Sequence, residues 1–133
     1  MYSVTKEIHF CYGHRLLNYE GKCRYLHGHN AKVEIELHSE TLDNRGMVMD
    51  FAEVKQKLQG WVDSTFDHKM LLNKADPVIP SLDLKREPVV LIDQNPTAEV
   101  ISQMIFDYAK SKGFPVVEVR FWETPTSFAT YRA

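Results

Sequence analysis

Residues 23–30 read Cys-Arg-Tyr-Leu-His-Gly-His-Asn and lead directly into the segment Ala-Lys-Val-Glu-Ile-Glu-Leu at 31–37. Apolar and polar residues alternate in the second segment, which is the period of a half-buried β-strand. If this strand extends backwards without a bulge, His27 and His29 point to the same face as its apolar residues. Two imidazoles on one face can bind a single metal ion, and Gly28 between them lets a ligand approach closely.

A third histidine, His14, follows an earlier alternating segment at 2–10 that predicts the first strand. Gly13 can mark a bulge that redirects the His14 side chain. Three protein nitrogens with an open fourth position are typical of a catalytic zinc site. With Cys23 as a fourth ligand, the same residues would instead form a closed structural site. The residues alone leave both arrangements open.

The composition is that of an ordinary globular protein, with 133 residues, 44% of them hydrophobic and 26% charged. This length predicts a single domain spanning residues 1–133. A net charge of −2 without basic runs gives no electrostatic reason to expect nucleic acid. No apolar stretch approaches the roughly 20 residues that cross a bilayer, and the N-terminus lacks the blocks of a signal peptide. We therefore expect a cytoplasmic protein that binds neither nucleic acid nor membrane.

The two cysteines have different surroundings in the sequence. Because the expected compartment is reducing, a disulfide between Cys11 and Cys23 is not expected. Cys11 is interpreted as a small buried hydrophobic residue. Cys23 lies between Lys22 and Arg24 and close to two histidines. Cationic neighbours or a metal lower the pKa of a thiol from about 8.5, so Cys23 is the candidate reactive thiol.

The rest of the chain predicts two helices and two more strands. Asp50 is a suitable N-cap for the first helix, and Asn95-Pro96-Thr97-Ala98-Glu99 opens the second. Strands are predicted near 117–123 and 127–132, with a short apolar segment at 89–92 between the helices. Glu123 shares the apolar face of its strand, where a carboxylate needs a partner. This order predicts an α+β fold, a four-stranded antiparallel sheet with two helices on one face.

Together these motifs resemble the 6-pyruvoyl-tetrahydropterin synthase family. The motifs that carry the resemblance follow in family order over essentially the whole chain: His14, Cys23-x-x-x-His27-Gly28-His29, Gly46-Met47-Val48-Met49-Asp50-Phe51, Asp67-His68, Asn95-Pro96-Thr97-Ala98-Glu99 and Glu123-Thr124. The three-residue gap between Cys23 and His27 is similar to the bacterial 6-carboxy-tetrahydropterin synthase branch of queuosine biosynthesis. The chain departs from the family pattern at Val100 and at 11–13, where Cys-Tyr-Gly replaces small residues.

The resemblance implies a tunnelling fold (T-fold), assembled as a homohexamer with active sites at subunit interfaces. It implies zinc bound by the three histidines, Cys23 as general base, and proton transfer by His68 with Asp67 from a neighbouring subunit. Glu123 would accept the amino group and ring N–H of a pterin, and Thr97 would contact the pterin from the adjacent subunit. The predicted metal ligands are His14, His27 and His29.

The implied activity is a zinc-dependent lyase that converts 7,8-dihydroneopterin triphosphate to 6-carboxy-5,6,7,8-tetrahydropterin, releasing acetaldehyde and triphosphate. One alternative keeps the scaffold and forms 6-pyruvoyl-tetrahydropterin by triphosphate elimination. Another is a non-catalytic oligomer that binds zinc or a pterin. The presence of Cys23, Asp67 and His68 favours an enzyme, because a pure binding protein would need none of them.

Overall fold

A computed structural model describes residues 1–133 as a six-stranded β-sheet with two helices. The strands are β1 Tyr2–His14, β2 His27–Ser39, β3 Lys69–Asn73, β4 Val89–Ile92, β5 Val116–Thr124 and β6 Ser127–Arg132. Helix α1 covers residues 51–65 and contains a π-helical segment at Lys55–Gln59, and helix α2 is Ala98–Ser111. Short 3₁₀ turns lie at Lys22–Arg24 and Ile79–Ser81.

The strand order across the sheet is β4-β3-β1-β2-β5-β6. β1 and β2 are the longest strands and pair antiparallel along their whole length, from Tyr2 opposite Ser39 to His14 opposite His27. β5 pairs antiparallel with β2 and with β6. The connection between β1 and β2 contains the Cys23 turn, so that turn stands at the end of the longest strand pair.

The α+β class and the two helices are as expected, but the sheet has six strands rather than four. The four expected strands pair antiparallel, and β3 and β4 extend the sheet as parallel neighbours beside β1. β3 escapes sequence detection because Leu71 and Leu72 are both fully buried, so apolar and polar residues do not alternate. β4 is the short apolar segment predicted at 89–92, and it pairs at the edge of the sheet.

The core lies between the helices and one face of the sheet. Its strand residues come from alternating positions, as in Ile8 and Phe10 of β1 and Val33 and Ile35 of β2. The buried helix residues repeat at helical spacing: Val54, Leu58 and Val62 in α1, and Ile101, Ile105, Phe106 and Ala109 in α2. Because His14, His27 and His29 continue the same alternation, the core-facing side of the sheet also carries the candidate site.

Side chains secure the helix starts as the sequence predicts. Asp50 Oδ1 accepts a hydrogen bond from Ala52 N at 2.8 Å, and Thr97 Oγ1 accepts one from Val100 N at 3.2 Å. Neither helix has the length and hydrophobicity that a membrane-spanning helix needs.

Candidate metal centre and active site

Three histidines converge where β1 ends and β2 begins. His14 is the register partner of His27, and Tyr12 is the partner of His29, so the ladder runs through both strand ends without a bulge. The extension of β2 is therefore confirmed, whereas the bulge considered at Gly13 is absent. The ring centroids of the three histidines are 4.6, 4.9 and 5.1 Å apart, and one ligand nitrogen from each lies within 4.8 Å of the others.

Backbone carbonyls determine which ring nitrogen of two histidines is free. His14 Nδ1 donates to the carbonyl of Pro96 at 2.7 Å, and His27 Nδ1 donates to the carbonyl of Tyr25 at 2.6 Å. Since a carbonyl only accepts, the proton lies on Nδ1 and the lone pair lies on Nε2. An outer hydrogen bond of this kind orients a metal-bound imidazole. Pro96 belongs to the segment that opens α2, so this helix supports the histidine cluster.

The free nitrogens suit a cation. His27 Nε2 is buried without a hydrogen-bond partner, and such an atom is costly unless something satisfies it. His14 Nε2 and His29 Nε2 face each other at 3.2 Å. Burial is the largest cause that lowers the pKa of both His14 and His29, so these imidazoles are held neutral with lone pairs available. The three residues therefore fit a bound divalent metal ion.

Glu123 turns its carboxylate toward the histidine cluster. Its Oε1 lies 3.4 Å from His14 Nε2 and 3.5 Å from His29 Nε2. The pairing of β5 with β6 shifts register between Trp122 and Thr124, at the position of Glu123. Such irregularities often redirect a side chain near a functional site. The sequence predicted that Glu123 points inward, but its pattern did not predict that the histidines are its neighbours.

Tyr12 is a site residue that sequence reasoning missed. It is 3% exposed, and its hydroxyl donates to Glu123 Oε1 at 3.4 Å. Its ring lies edge-on to His14 at 5.1 Å and tilted to His29 at 5.7 Å. Burial, followed by the charge of Glu123, raises the pKa of Tyr12, so the hydroxyl stays a donor. The sequence could have indicated this role, because Tyr12 is two residues before His14 in β1 and therefore faces the same side. Tyr12 was instead interpreted only as part of the departure from the family pattern at 11–13.

Cys23 lies in the 3₁₀ turn between the two long strands and is half-buried. Its carbonyl accepts a hydrogen bond from Leu16 N at 2.9 Å, which ties this turn to the end of β1. The thiol is close enough to Tyr12 for its charge to contribute to the raised pKa of that hydroxyl. Cys23 thus lies in the connection at the end of the β1–β2 pair that carries the three histidines.

Asp67 and His68 lie elsewhere in the chain fold. His68 Nδ1 donates to Asp67 Oδ2 at 2.9 Å, and the His68 side chain is 78% exposed. Their donor atoms cluster with Cys11, whose side chain points to the opposite face of β1 from Tyr12. The structure of one chain therefore does not bring the Asp67–His68 pair together with Cys23.

Two other polar residues have local partners. Thr97 caps α2, as described above, while its neighbour Pro96 supports His14. Arg15, a basic residue next to the site, makes a two-point ion pair with the buried Asp76. This pairing gives Arg15 a structural role in holding the chain just after β1.

The fold and the site together define an α+β protein with a cluster of three histidines, able to hold a metal ion, at the end of its central strand pair. The family model described as 6-pyruvoyl tetrahydropterin synthase matches residues 3–133, and the chain belongs to this family. A Rickettsia bellii protein named 6-carboxy-5,6,7,8-tetrahydropterin synthase is 35% identical over 135 residues, covering 96% of this chain and 98% of its own length. A Haemophilus influenzae protein of the same name is 30% identical, with 99% of both chains covered.

Solved structures agree with the fold. An uncharacterized protein from Wolinella succinogenes superposes with a TM-score of 0.82 at 29% identity, covering 98% of this chain and 97% of the other. The 6-pyruvoyl tetrahydropterin synthase of Caenorhabditis elegans superposes with a TM-score of 0.74 at 24% identity, covering 99% and 95%. The second similarity supports the fold alone.

Proposed function

We propose that this chain is a zinc-dependent 6-carboxy-5,6,7,8-tetrahydropterin synthase. It converts 7,8-dihydroneopterin triphosphate to the carboxy-pterin and releases acetaldehyde and triphosphate. The observation that carries the proposal is the convergence of three imidazoles, one with an unpartnered buried Nε2, in a chain similar over nearly its full length to relatives of that name.

His14, His27 and His29 hold the metal in this proposal. Three nitrogen ligands with a further position open are typical of catalytic rather than structural zinc. Bound zinc supplies Lewis acidity, which makes the hydroxyl groups of the substrate side chain easier to deprotonate. The carbonyls of Pro96 and Tyr25 keep two of the rings in the required tautomer, so little reorganisation accompanies metal binding.

Cys23 acts as the general base and removes a proton from the substrate side chain. Asp67 orients His68 through the 2.9 Å hydrogen bond, and His68 takes or returns protons during the reaction. Because His68 is exposed and Asp67 clusters with Cys11 rather than with Cys23, the pair serves the site of a second copy of the chain. In this proposal residues 1–133 act as a single domain within a homohexamer.

Glu123 recognises the pterin ring. A carboxylate can accept the amino group and the adjacent ring N–H together, in a two-point geometry that also determines the orientation of the ring. Tyr12 donates to the same carboxylate and helps to hold it near the metal. Thr97 of the adjacent subunit contacts the pterin. In its own chain, this threonine follows Pro96, whose carbonyl contacts His14.

Incubation of the purified zinc-loaded protein with 7,8-dihydroneopterin triphosphate tests the activity, with products identified by mass. The expected products are 6-carboxy-tetrahydropterin and acetaldehyde. Formation of 6-pyruvoyl-tetrahydropterin would replace the proposal by the pyruvoyl branch. Absence of turnover in a protein that retains zinc would leave a binding protein.

Mixing two inactive variants tests the sharing of sites between subunits. Cys23→Ala and His68→Asn each lack a different half of the proposed proton-transfer machinery. If sites form between copies, co-refolded mixed oligomers regain activity that neither variant has alone. The shared site is contradicted if activity returns when each variant is refolded alone. It is also contradicted if mixed oligomers form but remain inactive.

A further inference from the structure

A second group of metal-binding side chains lies on the face of β1 away from the three histidines. It consists of Cys11, Asp67 and His68, and one donor atom from each lies within 4.8 Å of the others. The chain offers a thiol, a carboxylate and an imidazole here. These are the three donor types with which proteins bind zinc.

Backbone contacts hold these three residues together independently of any ligand. Cys11 N donates to Asp67 Oδ1 at 3.1 Å, and His68 N donates to the carbonyl of Cys11 at 2.7 Å. His68 has φ of 59°, a left-handed conformation that is uncommon outside glycine. The turn after α1 is thus attached to β1 at Cys11, with the side chains of both segments in one place.

The cluster is open to solvent and carries negative charge. Cys11 and His68 line two adjoining surface cavities of about 790 and 650 Å³. Partial burial raises the pKa of the Asp67 carboxyl, but hydrogen bonds from His68 and from the Cys11 backbone outweigh it and lower the pKa below its ordinary value. Asp67 is therefore ionised at neutral pH, and a cation can reach it.

We propose that Cys11, Asp67 and His68 form a second site for a zinc-like divalent cation, separate from the three-histidine centre. Binding exchanges the thiol proton of Cys11 for the metal and releases it to solvent, while the neutral imidazole of His68 binds through the lone pair of one ring nitrogen and keeps its single N–H. The donors in contact are then a thiolate, a carboxylate and a neutral imidazole. Water can complete the coordination because His68 is exposed.

Occupation of this second site has a consequence for the proposed reaction. A cation bound by Asp67 and His68 removes the pair from proton transfer. Metal in excess of that held by the three histidines therefore inhibits turnover. Only this consequence rests on the proposed function, while binding itself does not.

Cobalt binding tests the site through its spectrum. The protein is first given one equivalent of Zn²⁺ and then titrated with Co²⁺, and near-ultraviolet absorption reports any cobalt–thiolate bond. The wild type is expected to bind a further equivalent with this absorption. Cys11→Ala is expected to lose the band and to weaken Co²⁺ binding at least about tenfold. The matched variant Cys23→Ala keeps the band, because its thiol belongs to the other face.

Histidine variants give an independent readout of metal content. His68→Asn removes the imidazole while asparagine tolerates the left-handed backbone, and the bound metal after dialysis falls from two equivalents to one. His9→Asn is the control, because His9 is exposed on the same face of β1 and lines one of the same cavities. One equivalent in the wild type, a band that persists in Cys11→Ala, or equal losses in both histidine variants overturns the proposal.

The kinetic measurement separates this proposal from the proposed function. Excess Zn²⁺ is expected to inhibit the wild type and to leave Cys11→Ala active, because the alanine keeps the backbone contacts with Asp67 and His68. If neither protein turns over the substrate, the proposed function fails while the cobalt result still decides the site. Equal inhibition of both proteins contradicts the inhibitory role.

Discussion

The two faces of β1 carry reactive groups of different kinds. On one face, Tyr12 and His14 are buried and in contact with other site residues. On the other face, Cys11 is half-buried beside Asp67 and an exposed His68. Because successive residues of a strand point to opposite faces, β1 has a buried group of reactive side chains on one face and a solvent-accessible group on the other.

The difference shows how the local environment sets the chemistry of the same residue type. Burial lowers the pKa of His14 and favours its neutral form, and the Pro96 carbonyl orients its ring with Nε2 free. His68 has its Nδ1 on a carboxylate and the rest of its ring in solvent, which suits a residue that exchanges protons. The histidine cluster of the enclosed face is assembled within one chain, whereas the open face leaves His68 accessible from outside the chain.

The largest effect is expected from His27→Ala on the enclosed face. Loss of one of three ligands should release most of the metal and reduce turnover at least about 100-fold. Metal analysis and product formation measure the two losses together. His38→Ala, at the other end of β2, is the control and should change neither. Full metal content in His27→Ala would exclude it as a ligand.

Cys23→Ala distinguishes a catalytic thiol from a structural one. As general base, its loss should reduce turnover by about 10²–10⁴-fold while the metal remains bound. The metal content of the purified variant decides between the two roles. Loss of metal in parallel with activity would make Cys23 a fourth ligand, and undiminished activity would remove it from the mechanism.

Arg15→Ala tests the support behind the enclosed face. It leaves the buried Asp76 without its partner and should lower the free energy of unfolding by about 3 kcal/mol at neutral pH, measured by urea denaturation. Arg45→Ala is the control, because Arg45 pairs with Asp43 at the surface and its loss should lower the free energy of unfolding much less than Arg15→Ala does. Equal losses of unfolding free energy in the two variants would mean that the buried pair stabilises the fold no more than the surface pair does.

The direction in which the pKa of Asp76 shifts determines how the stabilisation by the Arg15–Asp76 pair depends on pH. The hydrogen bond from Arg15 is the largest cause that lowers the pKa of Asp76 in the folded protein. The stabilisation is therefore fully present above the unfolded value of about 3.9 and is lost as pH falls through the lower folded pKa. The stability difference between wild type and Arg15→Ala should narrow in acid. A difference that stays constant down to strongly acidic pH would contradict this assignment.

The smallest effect is expected from Tyr12→Phe, which removes one hydroxyl from the enclosed face. Glu123 loses a donor, so KM should rise about two- to tenfold with kcat and metal content nearly unchanged. Tyr131→Phe is the control, because Tyr131 packs against Phe106 away from the site. A fall in kcat alone would assign the hydroxyl to the chemical steps instead.

Much of the fold could be predicted because its longest strands alternate clearly. Period-two patterns indicated β1 and β2, and the N-cap Asp50 and the helix-opening segment 95–99 indicated the two helices. β3 could not be predicted, since a short strand buried on both sides has no alternation. The irregularity at Glu123 depends on how β5 pairs with β6, which is a long-range property.

By itself the sequence determined that His27 and His29 share a face, because side-chain direction follows from strand periodicity, and it predicted His14 as a third member of the cluster. Only the tertiary structure decided which groups surround them. It brought Pro96 to His14, Glu123 and Tyr12 to the cluster, and Cys11 to Asp67 on the opposite face. Such contacts join residues 56 to 111 positions apart. They depend on strand register and loop packing, which local patterns do not encode.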